Sequence, residues 1–309
     1  MKAAIVAIAS LVALTGLALL SPQWLVFMAM LALAKGVVVL GLLVLMRTGL
    51  VSFGQGLYFG IGAYAAALLS HHLHVADAAV MLLAGAAAAG LVAALLGLLL
   101  ARYRDIFFAM LSLAFSMILY GVLVKSAALG STDGFNLHAR TFFGVALASG
   151  AERRVFLIAG AVCAVVAALL VHRLLGGHWG RLATGVRDNE LRVAYLGASP
   201  YRVVYVNYLI AGALAGLGGA LAALAVGHVD PEMTYWTTSG EFVFIAILGG
   251  IQSILAPFVA ATIFEALRMI ASQYAPNVWQ MSLGLAMLTI IMFLPAGLWT
   301  LAERRRRSA

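Results

Sequence analysis

A chain of 309 residues that is 64% hydrophobic and only 10% charged has too little polar side chain to cover a water-soluble core of its size. The formal charge of +8 does not point to nucleic acid, because the basic residues lie between apolar runs and form no long basic face with interleaved aromatics. The single cysteine, Cys163, excludes an intrachain disulfide and a cysteine metal cluster.

What composition leaves is an all-α, polytopic transmembrane helical bundle forming one domain over 1–309. A span takes about 20 apolar residues, and about ten spans fit this length. Residues 3–20 follow Lys2 and read as a retained first helix, since no small-x-small cleavage pattern precedes Ser21-Pro22. Further helices are predicted at 24–46, 57–71, 76–101, 105–125, 155–175, 205–226, 240–250, 255–272 and 277–298. Breakers divide them: Gly54-Gln55-Gly56, the run Gly130 to Gly134, Gly176-Gly177, Asp230-Pro231 and Ala275-Pro276-Asn277. The run 240–250 is too short to cross alone and reads as a half-helix continuing past Gly249-Gly250, a form tolerated only when packed inside protein.

Placing both termini in the cytoplasm puts thirteen basic residues inside: Lys2, Arg47, Arg102, Arg104, Arg173, Arg181, Arg187, Arg192, Arg202 and Arg304 to Arg307. Only Lys125, Arg140, Arg153 and Arg154 fall outside. That asymmetry sets the orientation. The Arg304 to Arg307 run then serves as an anchor to anionic membrane lipid.

Small residues mark close helix packing. Gly212 and Gly216 form a GxxxG pair followed by Gly218, Gly219 and Ala220, and the stretch 84–97 is rich in Ala and Gly. Among intramembrane charges, Glu265 and Arg268 are spaced to pair on one helix face. Lys35 stands alone mid-span, where it faces a polar path, snorkels or meets a partner. His71, His72 and His74 have neither an HExxH pattern nor a cysteine partner, so no metal site is expected. The chain has no G-x-x-x-x-G-K-[ST] and no G-x-S-x-G, and therefore no Walker nucleotide site and no hydrolase elbow.

The longest hydrophilic segment is 176–203. Asp188 is a candidate N-cap for a short helix, with Leu191, Ala194 and Tyr195 on one face, Gly197 as its end and Pro200 as a barrier to its resumption. Such a loop either lies solvated against headgroups or offers a soluble partner a grip. Ser52, Gln55 and Tyr58 in the glycine-rich stretch 49–62 supply hydrogen-bonding groups, set against a plain packing-and-turn reading.

Four ordered stretches carry a family resemblance. They are Gly49 to Gln55 with Tyr58 to Tyr64; Thr132-Asp133-Gly134; Gly180-Arg181 through Arg187-Asp188-Asn189-Glu190 and Leu196-Gly197, followed by Ala211 to Leu221; and Leu248 to Ile251 with Pro257. Together they resemble the permeases of branched-chain amino-acid ABC importers, most closely the M-type subunit, over roughly residues 30–298. Lys35 and Gln55 depart from the family's usual uncharged residue and histidine.

The resemblance implies a non-enzymatic transport subunit of the bacterial inner membrane without cofactors. Its implied partners are a second permease subunit, two cytoplasmic ABC ATPase subunits and a periplasmic substrate-binding protein. It assigns ATPase coupling to Arg181, Arg187, Asp188, Asn189, Glu190, Leu191, Ala194, Leu196 and Gly197. It assigns the translocation path to Ser52, Gly54, Gln55, Gly56 and Tyr58, to which the mid-span charge of Lys35 adds Lys35, and a periplasmic loop to Thr132, Asp133 and Gly134. The ligand it implies is a branched-chain or related hydrophobic amino acid, with urea or a short amide as the alternative. Outside that resemblance, the rival readings are an ion-coupled secondary transporter and a membrane enzyme acting on a lipid-soluble substrate.

Overall fold

The computed structural model describes residues 16, 21–137, 141–142, 145–146, 152–274, 276, 278–293 and 297–298. Apart from Gly16, the helix expected at 3–20 lies outside the described residues, as do Arg140 and the run Arg304 to Arg307. Eleven α-helices follow in chain order among the described residues: α1 Gln23–Met46, α2 Gln55–His72, α3 Ala78–Leu100, α4 Asp105–Lys125, α5 Glu152–Gly176, α6 His178–Asp188, α7 Glu190–Tyr195, α8 Pro200–Val226, α9 Trp236–Gly249, α10 Ala256–Tyr274 and α11 Trp279–Phe293. Four strands of two residues join them: β1 Phe135–Asn136, β2 Thr141–Phe142, β3 Val145–Ala146 and β4 His228–Val229. β1 pairs antiparallel with β4, and β2 with β3.

Local chemistry explains the ends. The Asp77 carboxylate accepts the Ala79 N–H at 2.8 Å and caps α3. Pro200 does not act as a barrier, as the sequence suggested; it opens α8 five residues before the predicted start at 205. Ser199 is the N-cap there, and proline suits the first helical turn because its missing N–H would lack an intrahelical partner anyway. The half-helix α9 also departs from expectation, because it stops at Gly249. Gly250 follows with φ 80° and ψ 167°, outside the helical region, and the Leu298 N–H donates to the Leu248 carbonyl at 2.8 Å.

α8 is the hub. Gly218 lies where a Cβ would come 2.6 Å from the Ala34 carbonyl of α1. A Cβ at Gly219 would collide with the Phe59 carbonyl of α2, and one at Gly216 with Ala89 of α3. Gly62 and Gly85 return the approach from α2 and α3, each against the Gly216 carbonyl. The small residues singled out in the sequence are thus where helix backbones touch, which is how helices associate where lipid is as apolar as they are.

Five helices, α1, α3, α4, α5 and α8, are long and apolar enough to cross a membrane. Their outward residues suit lipid: Leu83, Leu91 and Leu95 on α3, and Ile106, Phe107 and Met110 on α4, are all exposed. The protein is a multi-pass helical membrane protein. α2 and α10 have 18 and 19 residues, but neither is uniformly apolar, and α9 and α11 are shorter.

Candidate functional site

Two non-helical segments run into the bundle from opposite ends. The first, 47–54, begins beside the loop 176–203: Arg47 donates to the carbonyls of Ile251 and Gln252 at 3.2 and 3.0 Å, and Gly49 packs on Arg187. It then passes inward, where the Phe53 N–H donates to Ser112 Oγ at 3.2 Å. Ser112 lies seven residues into α4, about 10 Å along its axis. The second segment, 228–235, enters from the β1–β4 end. Its 3₁₀ turn Pro231–Thr234 packs on Gly56 and Gly60 of α2, and its Thr234 carbonyl accepts from Ser116 Oγ at 2.7 Å.

As a result α2 begins inside the protein at the buried Gln55, and it meets the first turn of α9 through the buried Ser239, while Trp236 and Thr237 at the start of α9 are exposed. The Gly56 N–H donates to Ser239 Oγ at 2.9 Å. Both helix starts carry partial positive charge and spare N–H groups. Around them, Ser52 Oγ accepts the Gly54 N–H at 3.2 Å, and the Tyr58 and Tyr208 hydroxyls lie 2.6 Å apart. Gln55 is fully buried, yet neither atom of its amide has a hydrogen-bond partner among the described residues. Asn207, beside Tyr208, is in the same condition. An orphaned buried amide is costly, and it marks a place where another polar group would be welcome.

Of the six residues assigned to the path, Ser52, Gly54, Gln55, Gly56 and Tyr58 are brought together, and all are buried. Lys35 is elsewhere and is not alone. Its ammonium lies 2.7 Å from Glu241 Oε2 and 2.6 Å from Glu265 Oε1. The second contact is an ion pair outside hydrogen-bond geometry, since that oxygen accepts no proper hydrogen bond. Arg268 completes the group at 3.9 Å from Glu241 and 3.8 Å from Glu265. The lysine expected to stand unpaired in a span is therefore the centre of a neutral four-residue cluster joining α1, α9 and α10. The Glu265–Arg268 pair expected from spacing is one edge of it. Sequence reasoning missed Glu241, Ser112, Ser239 and Tyr208. An inventory of every acid between 236 and 274 would have exposed Glu241; the other three are ordinary helix residues until folded.

The hydrophilic loop holds two helices rather than one. Asp188 ends α6, and Asn189 caps α7, its side chain accepting the Arg192 N–H at 2.9 Å. Two successive residues had cap chemistry, and the second prevailed because Val186 and Ala183 are buried as the last turns of α6. Arg181, Arg187, Asp188, Asn189, Ala194 and Gly197 are exposed, and so are Leu191, Tyr195 and Leu196, at 70%, 90% and 79%. Glu190 is held within the chain by an ion pair to Arg104. At the other end, Gly134 has φ 64° and lies against the Val229 carbonyl, which only glycine permits, while Thr132 and Asp133 form the exposed tip. No group of three or more His, Cys, Asp or Glu suited to a metal occurs among the described residues.

A family model described as "Branched-chain amino acid transport system / permease component" matches residues 24–294. The chain belongs to this family. It is 30% identical over 276 residues to the high-affinity branched-chain amino acid transport system permease protein LivM of Escherichia coli K12, and equally to that of Salmonella typhimurium LT2. Each alignment covers 81% of this chain and 64% of the relative, so the chain spans just under two thirds of the curated relatives it matches. No solved structure matches it. The permease family frames the geometry: a glycine-packed hub carries the meeting first turns of α2 and α9 and an outward-facing helical loop.

Proposed function

We propose that this chain is the transmembrane permease subunit of an ATP-driven importer, moving a branched-chain or related hydrophobic amino acid across a bacterial inner membrane. The ligand arrives from a periplasmic binding protein, and hydrolysis belongs to two separate ATPase subunits. A second permease subunit completes the path. In this reading the whole chain is one permease domain of about ten spans, sized by the bilayer, with both termini cytoplasmic. Segment 176–203 is its coupling loop, and Thr132 to Gly134 lie on the periplasmic side.

The observation that carries the reading is the meeting of the α2 and α9 starts at Gly56 and Ser239, inside a chain of this family. The buried start of α2 aims partial positive charge at a ligand carboxylate, and the orphaned Gln55 amide supplies polar contacts beside it. The exposed Leu191, Tyr195 and Leu196 of the coupling loop offer an apolar grip to the ATPase subunits.

The test is uptake of labelled L-leucine into proteoliposomes holding the assembled complex and its binding protein. Uptake abolished by vanadate and indifferent to an uncoupler supports the reading. The charge cluster around Lys35 favours one rival, an ion-coupled transporter, and that rival requires the opposite pattern. A family permease for urea or a short amide would show the same ATP dependence with no leucine uptake.

A further inference from the structure

The cluster of Lys35, Glu241, Glu265 and Arg268 is enclosed on one side and open on the other. Lys35 and Glu265 are buried, at 5% and 4% exposure. The side chains of Glu241 and Arg268 are 23% and 39% exposed. Lys35 contacts both carboxylates closely, with the Phe264 ring 5.1 Å from its ammonium, whereas Arg268 stands more than an ångström farther from each acid. Around the open side, Thr237, Gly240, Glu241 and Phe244 follow the spacing of one helix face. Thr237 is exposed, and a side chain added at Gly240 would meet nothing within 4 Å.

Charge at this depth does not face acyl chains; it faces water or protein. The elements concerned agree, since neither is among the helices able to cross a membrane on their own account: α9 is apolar but has only 14 residues, and α10 is not apolar enough. We propose that the open side of this cluster is a water-facing station on the translocation path. There Glu241 receives the ammonium and Arg268 the carboxylate of a zwitterionic amino acid, while Lys35 and Glu265 hold the pair in place. The proposal rests on the importer reading given above. A zwitterion carries its two charges one carbon apart and adds no net charge, so it suits a neutral, adjacent acid–base pair better than a cation or an anion would.

The station also explains why the cluster is asymmetric. Lys35 and Glu265 carry a desolvation cost that only close contact offsets, whereas Glu241 and Arg268 keep part of their hydration and meet a new charged partner at lower cost. Toward the two acids, the short contacts belong to the lysine and the longer ones to the arginine, whose planar guanidinium is the better carboxylate partner.

The experiment uses the assembled complex in lipid nanodiscs, in a Cys163→Ser background, with Thr237→Cys or Gly240→Cys. A charged, membrane-impermeant methanethiosulfonate should label both positions, severalfold faster in one of the nucleotide-free and vanadate-trapped states than in the other. Millimolar L-leucine should slow labelling severalfold in the faster state. In uptake assays, Arg268→Gln should lose about tenfold or more while the complex still assembles, and Arg268→Lys should recover part of it.

Labelling only by a lipophilic maleimide would put this face in lipid and overturn the station. Failure to label, with disulfide cross-linking to the second permease subunit, would make the face a subunit seam and overturn it equally. Wild-type complex with no ATP-dependent uptake would instead remove the importer reading itself, which the labelling pattern alone would not.

Discussion

The half of the molecule built on α8 and the half built on α9 and α10 solve opposite problems. Around α8, glycines and alanines bring four helices into backbone contact, and the packing between them is mostly apolar. Around α9 and α10, helices begin or end inside the bundle, and two cations meet two carboxylates. The first region has one low-energy arrangement, because contacts between backbones allow little sliding. The second depends on polar groups that can exchange partners. Rigidity in one and exchangeable pairs in the other is the division of labour a transporter needs.

Three substitutions probe that contrast, in descending size. Lys35→Met leaves the buried Glu265 carboxylate and the part-exposed Glu241 without their close counter-ion, and should cost about 3–5 kcal/mol. Thermal unfolding in detergent would read this, and Lys35→Met combined with Glu265→Leu should recover part of the loss. If the single variant unfolds like wild type, the cluster contributes no net stability and the contrast fails.

Glycine substitutions should then split by region. Gly219→Ala drives a methyl into the Phe59 carbonyl, with backbone rather than a flexible side chain in the way, and should cost about 1–3 kcal/mol. Gly240→Ala enters open space within a helix and should stabilise by about 0.4–1 kcal/mol through the unfolded chain. Opposite signs in the same melting assay would confirm that α8 is packed at Gly219 and that the Gly240 face of α9 is open. Equal losses would mean that the α9 face is also filled.

Sequence carried one of these regions much further than the other. Apolar run length, Gly and Pro breaks and the GxxxG pattern set most helix boundaries to within a few residues, because in lipid the span length and the small-residue contacts are local properties of the chain. The Lys35 cluster is not local: Lys35 and Glu241 are 206 residues apart, and only the packing of α9 and α10 on α1 joins them. Ser52, Gly54, Gln55, Gly56 and Tyr58 were legible as a group because they lie within seven residues of one another, whereas Ser112, Tyr208 and Ser239, which hydrogen-bond to this stretch, come from three other helices. Asn189 was named as an interface residue, and its part as a helix cap emerged only once the buried turns of α6 fixed where that helix stops.

The smallest effect on stability belongs outside both regions, at Glu190. Its ion pair with Arg104 is partly exposed on both sides, so Glu190→Lys should cost no more than about 1 kcal/mol and leave membrane abundance unchanged. Uptake should nevertheless fall. The pair ties α7 to the turn before α4, and α7 holds out Leu191, Tyr195 and Leu196; placing two cations together there would push that helix off its seat. Arg104→Glu added to Glu190→Lys restores an opposite pair with its polarity reversed, and should recover uptake if positioning of α7 is what matters. Uptake that stays low in the double variant, at normal abundance, would mean that Glu190 acts on an outside partner directly. Unchanged uptake in the single variant would remove α7 from coupling altogether.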